Sequence, residues 1–229
     1  MSTSPSAKAG YHHGGLREAL VEAGLAILEE GGDPASLGLR EAARRAGVSA
    51  MAPYRHFPDK DALLAAVATV GFERLRAALE AADDPGRGVQ GSVGETMDGR
   101  SGLRRDVETS AAAGGAGEGQ AALVAQGVAY IGFAAAHPGL FRLMFRTCAA
   151  EPPEALAAAS SGAFGVLSHR VAALMPPERA TDEALRCWAL VHGIAVLALD
   201  GLLGADLRGN REAVAALAER LLALDARGR

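Results

Sequence analysis

The sequence predicts an all-α protein of about nine helices, three forming a small N-terminal head and the rest a C-terminal bundle. Three observations carry this. Apolar residues recur at spacings of three and four along the long segments, the period of a helix with one buried face. No alternating Val, Ile or Thr run lies between turn signals, as a half-buried strand requires. Gly and Pro pairs stand where helices must end. Aromatics are only 4% of the chain while Ala and Gly abound, so the core must rest on close helix contacts of Ala, Leu and Val.

Residues 1–13 are expected to be a flexible arm, since Met1–Gly10 is rich in Ser, Ala and Gly. A first helix over Gly15–Glu30 places Leu16, Leu20, Ala23 and Ile27 on one face, and Gly31-Gly32 ends it. A second, Leu39–Ala46, has Gly38 at its N-cap, and Gly47 reverses the chain. A third, Ala50–His56, is expected to take a cap from the Ser49 hydroxyl and carries Pro53 in its first turn. Leu39, Ala42, Ala43, Val48, Tyr54 and Phe57 supply apolar contacts. A fourth helix, about 59–82, starts at an Asp59 cap and is striped by Leu63, Val67, Val70 and Leu75.

Residues 83–119 are Gly-rich and poor in large apolar side chains; a disordered insertion is expected, with a weak helix over Leu103–Ala113 as its one regular element. Order is expected to resume at Gln120 and run through 120–229. Helices over 120–136, Gly139–Ala149, Pro153–Met175 and Thr181–Leu203 are separated by His137-Pro138, Pro152-Pro153 and Pro176-Pro177, with Gly204 as the last stop. A final helix from Asn210 aligns Val214, Leu217, Leu221 and Leu224.

Charge and cysteine usage narrow the function classes. The net charge of −4 lies wholly within 61–229, which argues against a general nucleic-acid coat. Cys148 and Cys187 have no metal spacing and read as small core residues in a reducing compartment. Tyr11, His12 and His13 precede the first helix, and no partner spacing supports a metal there. No basic-then-apolar leader opens the chain, so no signal peptide is expected. The most apolar run, Cys187–Leu203, is interrupted by His192 and Asp200 and falls short of the roughly 20 residues of a membrane span. A cytoplasmic protein with no membrane association is expected. No Gly-rich phosphate loop, metal cluster or supported nucleophile–base pair appears, so neither an enzyme nor a cofactor is expected.

Against that acidic background, Arg40–Lys60 carries five basic and two acidic residues in 21. A compact helix-turn-helix with local positive charge suits DNA reading. The segment LREAARRAGVS, then YRHF, then PDK before an apolar helix, resembles the DNA-binding domain of the TetR family of bacterial transcriptional regulators. Gly14–Gly32 resembles that family's first helix, so 14–60 reads as the TetR-type DNA-binding domain. Ser49, Ala50, Met51 and Ala52 open the third helix and are expected at the major groove, with Arg55 the longest donor nearby. Tyr54, His56 and Lys60 are expected at phosphates, the resemblance implying that role for Tyr54. Arg40, Arg44 and Arg45 either add attraction or form a solvated face. The family's hydroxyl residue at the second helix start is replaced by Gly38, which removes one phosphate donor.

The second half carries a resemblance of its own. Trp188, His192 and Gly193 in CWALVHG, with YIGFAAAHPGLFRLMF at 130–145, resemble the branch of the family with a Trp…His-Gly effector domain. Trp188 and His192 are four apart, on one helix face. A cavity bounded by Phe133, Phe141, Met144, Phe145, Phe164, Trp188 and His192 would bind an unknown small-molecule effector, although core packing accounts for each of these residues equally well. The resemblance implies a repressor released by ligand, binding a palindromic double-stranded operator as a homodimer through its two C-terminal helices. The alternative is a helical ligand-binding or interaction protein with lost or weak DNA binding.

Overall fold

The computed structural model describes residues 15–31, 33–83, 108–146, 151–204, 207 and 210–227. Eight α-helices and one 3-10 turn make up the described chain, with no strand among them. They are α1 (Leu16–Glu29), α2 (Leu39–Arg45), the 3-10 turn (Ala52–Arg55), α3 (Lys60–Asp83), α4 (Glu108–Ala136), α5 (Pro138–Arg146), α6 (Glu154–Ala172), α7 (Pro177–Leu199) and α8 (Arg211–Arg227).

The head forms around Leu20, Leu37, Leu39, Ala42, Phe57 and Leu63, all buried. Its turn is built by Gly47, whose φ of 69° is left-handed. The Gly47 N–H donates to the Arg44 carbonyl at 3.2 Å and the Val48 N–H to the Ala43 carbonyl at 3.0 Å. These paired bonds satisfy two carbonyls that α2 leaves open and turn the chain toward Ala50–His56, the expected third helix and recognition segment of the helix-turn-helix reading. The element formed there is shorter than that expected helix. Pro53 has no N–H and disfavours helical angles at Ala52, and only a 3-10 turn forms. The Ser49 hydroxyl makes no cap; its backbone carbonyl accepts from the Ala52 N–H at 3.0 Å instead. Asp59 does cap α3, accepting from the Ala62 N–H at 2.8 Å.

The bundle departs from the expected boundaries in four places. α4 begins at Glu108, twelve residues before the expected start at Gln120, so the presumed insertion is corrected at its C-terminal end. A weak Ala/Gly helix persists there because it continues into a strongly packed one, and Gly119 lies against Leu174. Asp83, the first residue of the presumed insertion, is likewise held in an ion pair; residues 84–107 lie outside the described residues. Pro177 starts α7 at its first turn instead of breaking the chain until Thr181. Gly201, with φ 70°, stops α7 at Leu199, before the expected end at Leu203. The inward row of α8 is Val214, Ala218 and Leu222; Leu217 is half-buried and Leu221 exposed, while the side chain of Leu224 is outside the described set. Gly127 on α4 leaves the room that Leu222 fills, since a Cβ there would lie 2.5 Å from Leu222 Cδ1.

Head and bundle share one continuous hydrophobic cluster. α3 joins them, packing on α1 in the head and on α4, α5 and α6 in the bundle. His137 Nδ1 lies 2.7 Å from Glu29 Oε1, adding a polar link between α1 and the start of α5. Within α4, Gly117–Ala136 is long and apolar enough to cross a membrane, but α3, α7 and α8 pack around this helix as a core element.

Candidate nucleic-acid interface and effector cavity

The fold presents the recognition segment on the outside of the head. Ser49, Ala50, Met51, Tyr54, Arg55, His56 and Lys60 are exposed, and Ala52 is half-buried. Met51 is 71% exposed, a large apolar side chain offered to solvent without an internal partner to explain it. Tyr54 is 44% exposed, which corrects its assignment to the head's apolar contacts; Pro53 and Phe57 point inward instead. A shallow notch between the start of α2 and the recognition turn is lined by Ser36, Gly38, Arg40, Tyr54 and Lys60. Lys60 Nζ donates to the Ala35 carbonyl at 2.7 Å, which holds the ammonium at the notch edge.

The arginines of α2 divide. Arg44 donates two bonds to Glu41, at 2.8 and 2.6 Å. Arg45 bridges Glu41 at 3.0 Å and Glu30 at 2.7 Å. The two guanidinium groups, Arg44 first, hold the Glu41 carboxyl down at about 2, so the pairs remain charged through the physiological range. Arg45 therefore ties α2 to the end of α1, Arg44 pairs within α2, and Arg40 borders the notch. Tyr11, His12 and His13 lie outside the described residues.

In the bundle, a cavity of about 330 Å³ lies between α3, α4, α6 and α7, with α5 and α8 each adding a residue. It separates the main hydrophobic cluster from a smaller one around Leu123, Val171, Ala184 and Cys187. Of the seven residues expected around an effector, Phe145, Phe164 and Trp188 stand on the wall. Phe133, Phe141 and Met144 do not: they are buried in the main cluster, with Met144 packed against Gly71 and Phe133 against His137. A helix carries large apolar side chains on several faces, and sequence spacing alone cannot separate the wall of a cavity from the layer behind it.

His192 belongs to that layer behind. Its ring lies 4.5 Å from Phe145, 5.5 Å from Trp188 and 5.6 Å from Phe141, centre to centre, and it is not a wall residue. Its Nδ1 is 2.9 Å from the Tyr130 hydroxyl. Burial pushes the imidazole below its ordinary pKa and the Tyr130 phenol above its own. Both are neutral near pH 7, and the contact with His192 fixes the hydroxyl of Tyr130, a wall residue.

Tyr130 and Gln126 are among the wall residues that sequence reasoning missed. Both are polar-bearing side chains in the otherwise apolar stretch from Ala121 to Ala136, four residues apart, which is the signal that marks them. Gln126 is only 2% exposed. Its Nε2 donates to Asp83 Oδ1 at 2.6 Å, and Asp83 also receives Arg170 Nε and Nη2, each at 2.7 Å. The Arg170 hydrogen bonds hold the Asp83 carboxyl below its usual range, helped less by Gln126. Among the described residues no group of three or more His, Cys, Asp or Glu side chains is placed to hold a metal ion.

Comparison with known proteins matches both parts of the chain to one family. Residues 20–67 match the family described as bacterial regulatory proteins, tetR family. Residues 123–224 match the tetracyclin repressor-like C-terminal domain. A solved structure of a protein of unknown function from Rhodococcus sp. RHA1 is 32% identical, with TM-score 0.64, over 93% of this chain and 98% of that one. A bacterial regulatory protein in the tetR family from Rhodococcus RHA1 shares the fold at 18% identity and TM-score 0.53, over 90% of this chain and 96% of its own. No curated protein matches the sequence. With one match across the helix-turn-helix head and another across the bundle that encloses the cavity, the chain belongs to the TetR family of bacterial transcriptional regulators.

Proposed function

We propose that the protein is a ligand-released repressor that binds a palindromic operator as a homodimer in the cytoplasm. Residues 14–60 act as the DNA-binding domain and 120–229 as the effector-binding and dimerisation domain, joined by α3. Ser49, Ala50, Met51 and Ala52 meet the major groove, where Met51 and the alanines suit thymine methyl groups. Arg55 adds a donor beside them. Tyr54, His56 and Lys60 hold phosphates around the notch. Two heads then occupy half-sites about 34–36 Å apart, one helical turn.

The observation that carries this reading is the course of α3. It begins with Lys60 in the head and ends with Asp83 bound to Gln126 on the cavity wall. A ligand that prefers a different position of the α3 end favours a different placement of the head, and lowers DNA affinity by its differential binding to the two states. A gel shift with DNA upstream of the protein's own gene tests the reading. It predicts a discrete complex with two protomers per duplex that survives excess unrelated DNA. A helical ligand-binding protein without DNA function would give no such complex.

A further inference from the structure

The Gln126 amide has its orientation imposed from outside the cavity. The Asp83 carboxylate can only accept hydrogen bonds, so the Gln126 NH2 must face it and the carbonyl must turn away. That carbonyl oxygen, Oε1, is buried and has no hydrogen-bond partner among the described residues. Leaving a buried acceptor unpaired is unfavourable, and a donor supplied by a ligand recovers that cost. Gln126 is part of the cavity wall, between Leu123 and Tyr130 on the same helix. Among the described residues the rest of the wall is mostly apolar and includes no Asp, Glu, Lys or Arg, so a charged ligand would find no partner among them. A carboxylate would also meet the carbonyl oxygen with like polarity.

We propose that the cavity selects a neutral, mostly apolar molecule carrying one hydroxyl or N–H donor, and that Gln126 Oε1, held in place by Asp83 and Arg170, is the acceptor that reads this donor. The inference rests on the cavity being the effector site, and the test separates the two. Trp188 is the only tryptophan in the chain and stands on the cavity wall, so its fluorescence reports occupancy. The full-length protein is titrated with 1-decanol and with its isomer methyl nonyl ether, which matches it in size but lacks the donor. The same titrations are run on Gln126→Met, which keeps the side-chain length, with a thermal melt to establish folding.

The expected result is that the alcohol binds the native protein about tenfold more tightly than the ether, and that the ratio falls toward one in Gln126→Met. Equal affinities in the native protein overturn the selection by Gln126 while leaving the cavity as a ligand site. An unchanged preference in a folded Gln126→Met protein assigns the donor's partner elsewhere and overturns it too. No change in Trp188 fluorescence with either compound up to its solubility limit overturns both the inference and the cavity reading. If Gln126→Met does not fold, the ratio in the native protein decides.

Discussion

Lys60 sits at the notch edge, with one ammonium donor on the Ala35 carbonyl and the remainder available to an anion. Lys60→Ala is therefore expected to weaken binding to every duplex alike and to flatten the log–log salt slope by about one unit. Anisotropy titrations across a salt series measure this, and an unchanged slope removes Lys60 from the phosphate contacts. At the other site, His192 is a neutral group among aromatic rings, bonded to Tyr130. Burial depresses its folded pKa, so below the ordinary imidazole value the unfolded chain binds a proton that the folded chain resists. Stability from this group is complete above that pH and declines as pH falls through it. Between about pH 7.5 and 5.5, the native protein is expected to lose more melting temperature than His192→Gln. Parallel curves would show that the ring titrates alike in both states.

Among the elements, the α2 turn depends most on a single residue. Gly47 occupies a left-handed φ of 69° with open space around its Cα. Gly47→Ala meets no clash, only the backbone penalty of about 1 kcal/mol, which lowers the melting temperature by about 2–4 °C in a chain of this size. An unchanged melt would mean that the turn relaxes without loss. This glycine was legible in sequence because it follows an apolar-periodic segment and precedes Val48, and Asp59 was legible as a cap for the same kind of local reason. The recognition turn was not: the sequence pattern indicates a helix over Ala50–His56, while Pro53 limits it to four residues. The cavity wall was readable only in part. Trp188 and His192 do share a face of α7, yet Phe145 lies between His192 and the open space. Spacing within one helix gives a face, and which neighbour covers that face is decided by helices distant in sequence. Asp83 and Arg170, 87 residues apart, illustrate the same limit.

For the whole molecule, the outer surface of the last two helices matters most. Leu185, Val196 and Leu197 on α7 and Leu221 on α8 are exposed, with Ala189 and Gly193 between them small enough for close approach. An apolar surface of this kind, on the helices expected to pair, suits a four-helix contact between two copies. Val196→Glu combined with Leu221→Glu is expected to yield a folded monomer by light scattering, with the head intact; a persistent dimer would place the contact elsewhere. The central claim is that this dimer reads DNA by sequence. The most direct measurement is selection of duplexes from a fragmented genomic pool, followed by anisotropy titration of the enriched duplex and of a scrambled one at the same salt. The account predicts an enriched inverted repeat bound by two protomers at least about 10³-fold more tightly than the scrambled duplex. Equal affinity for both, or no enrichment, would contradict it.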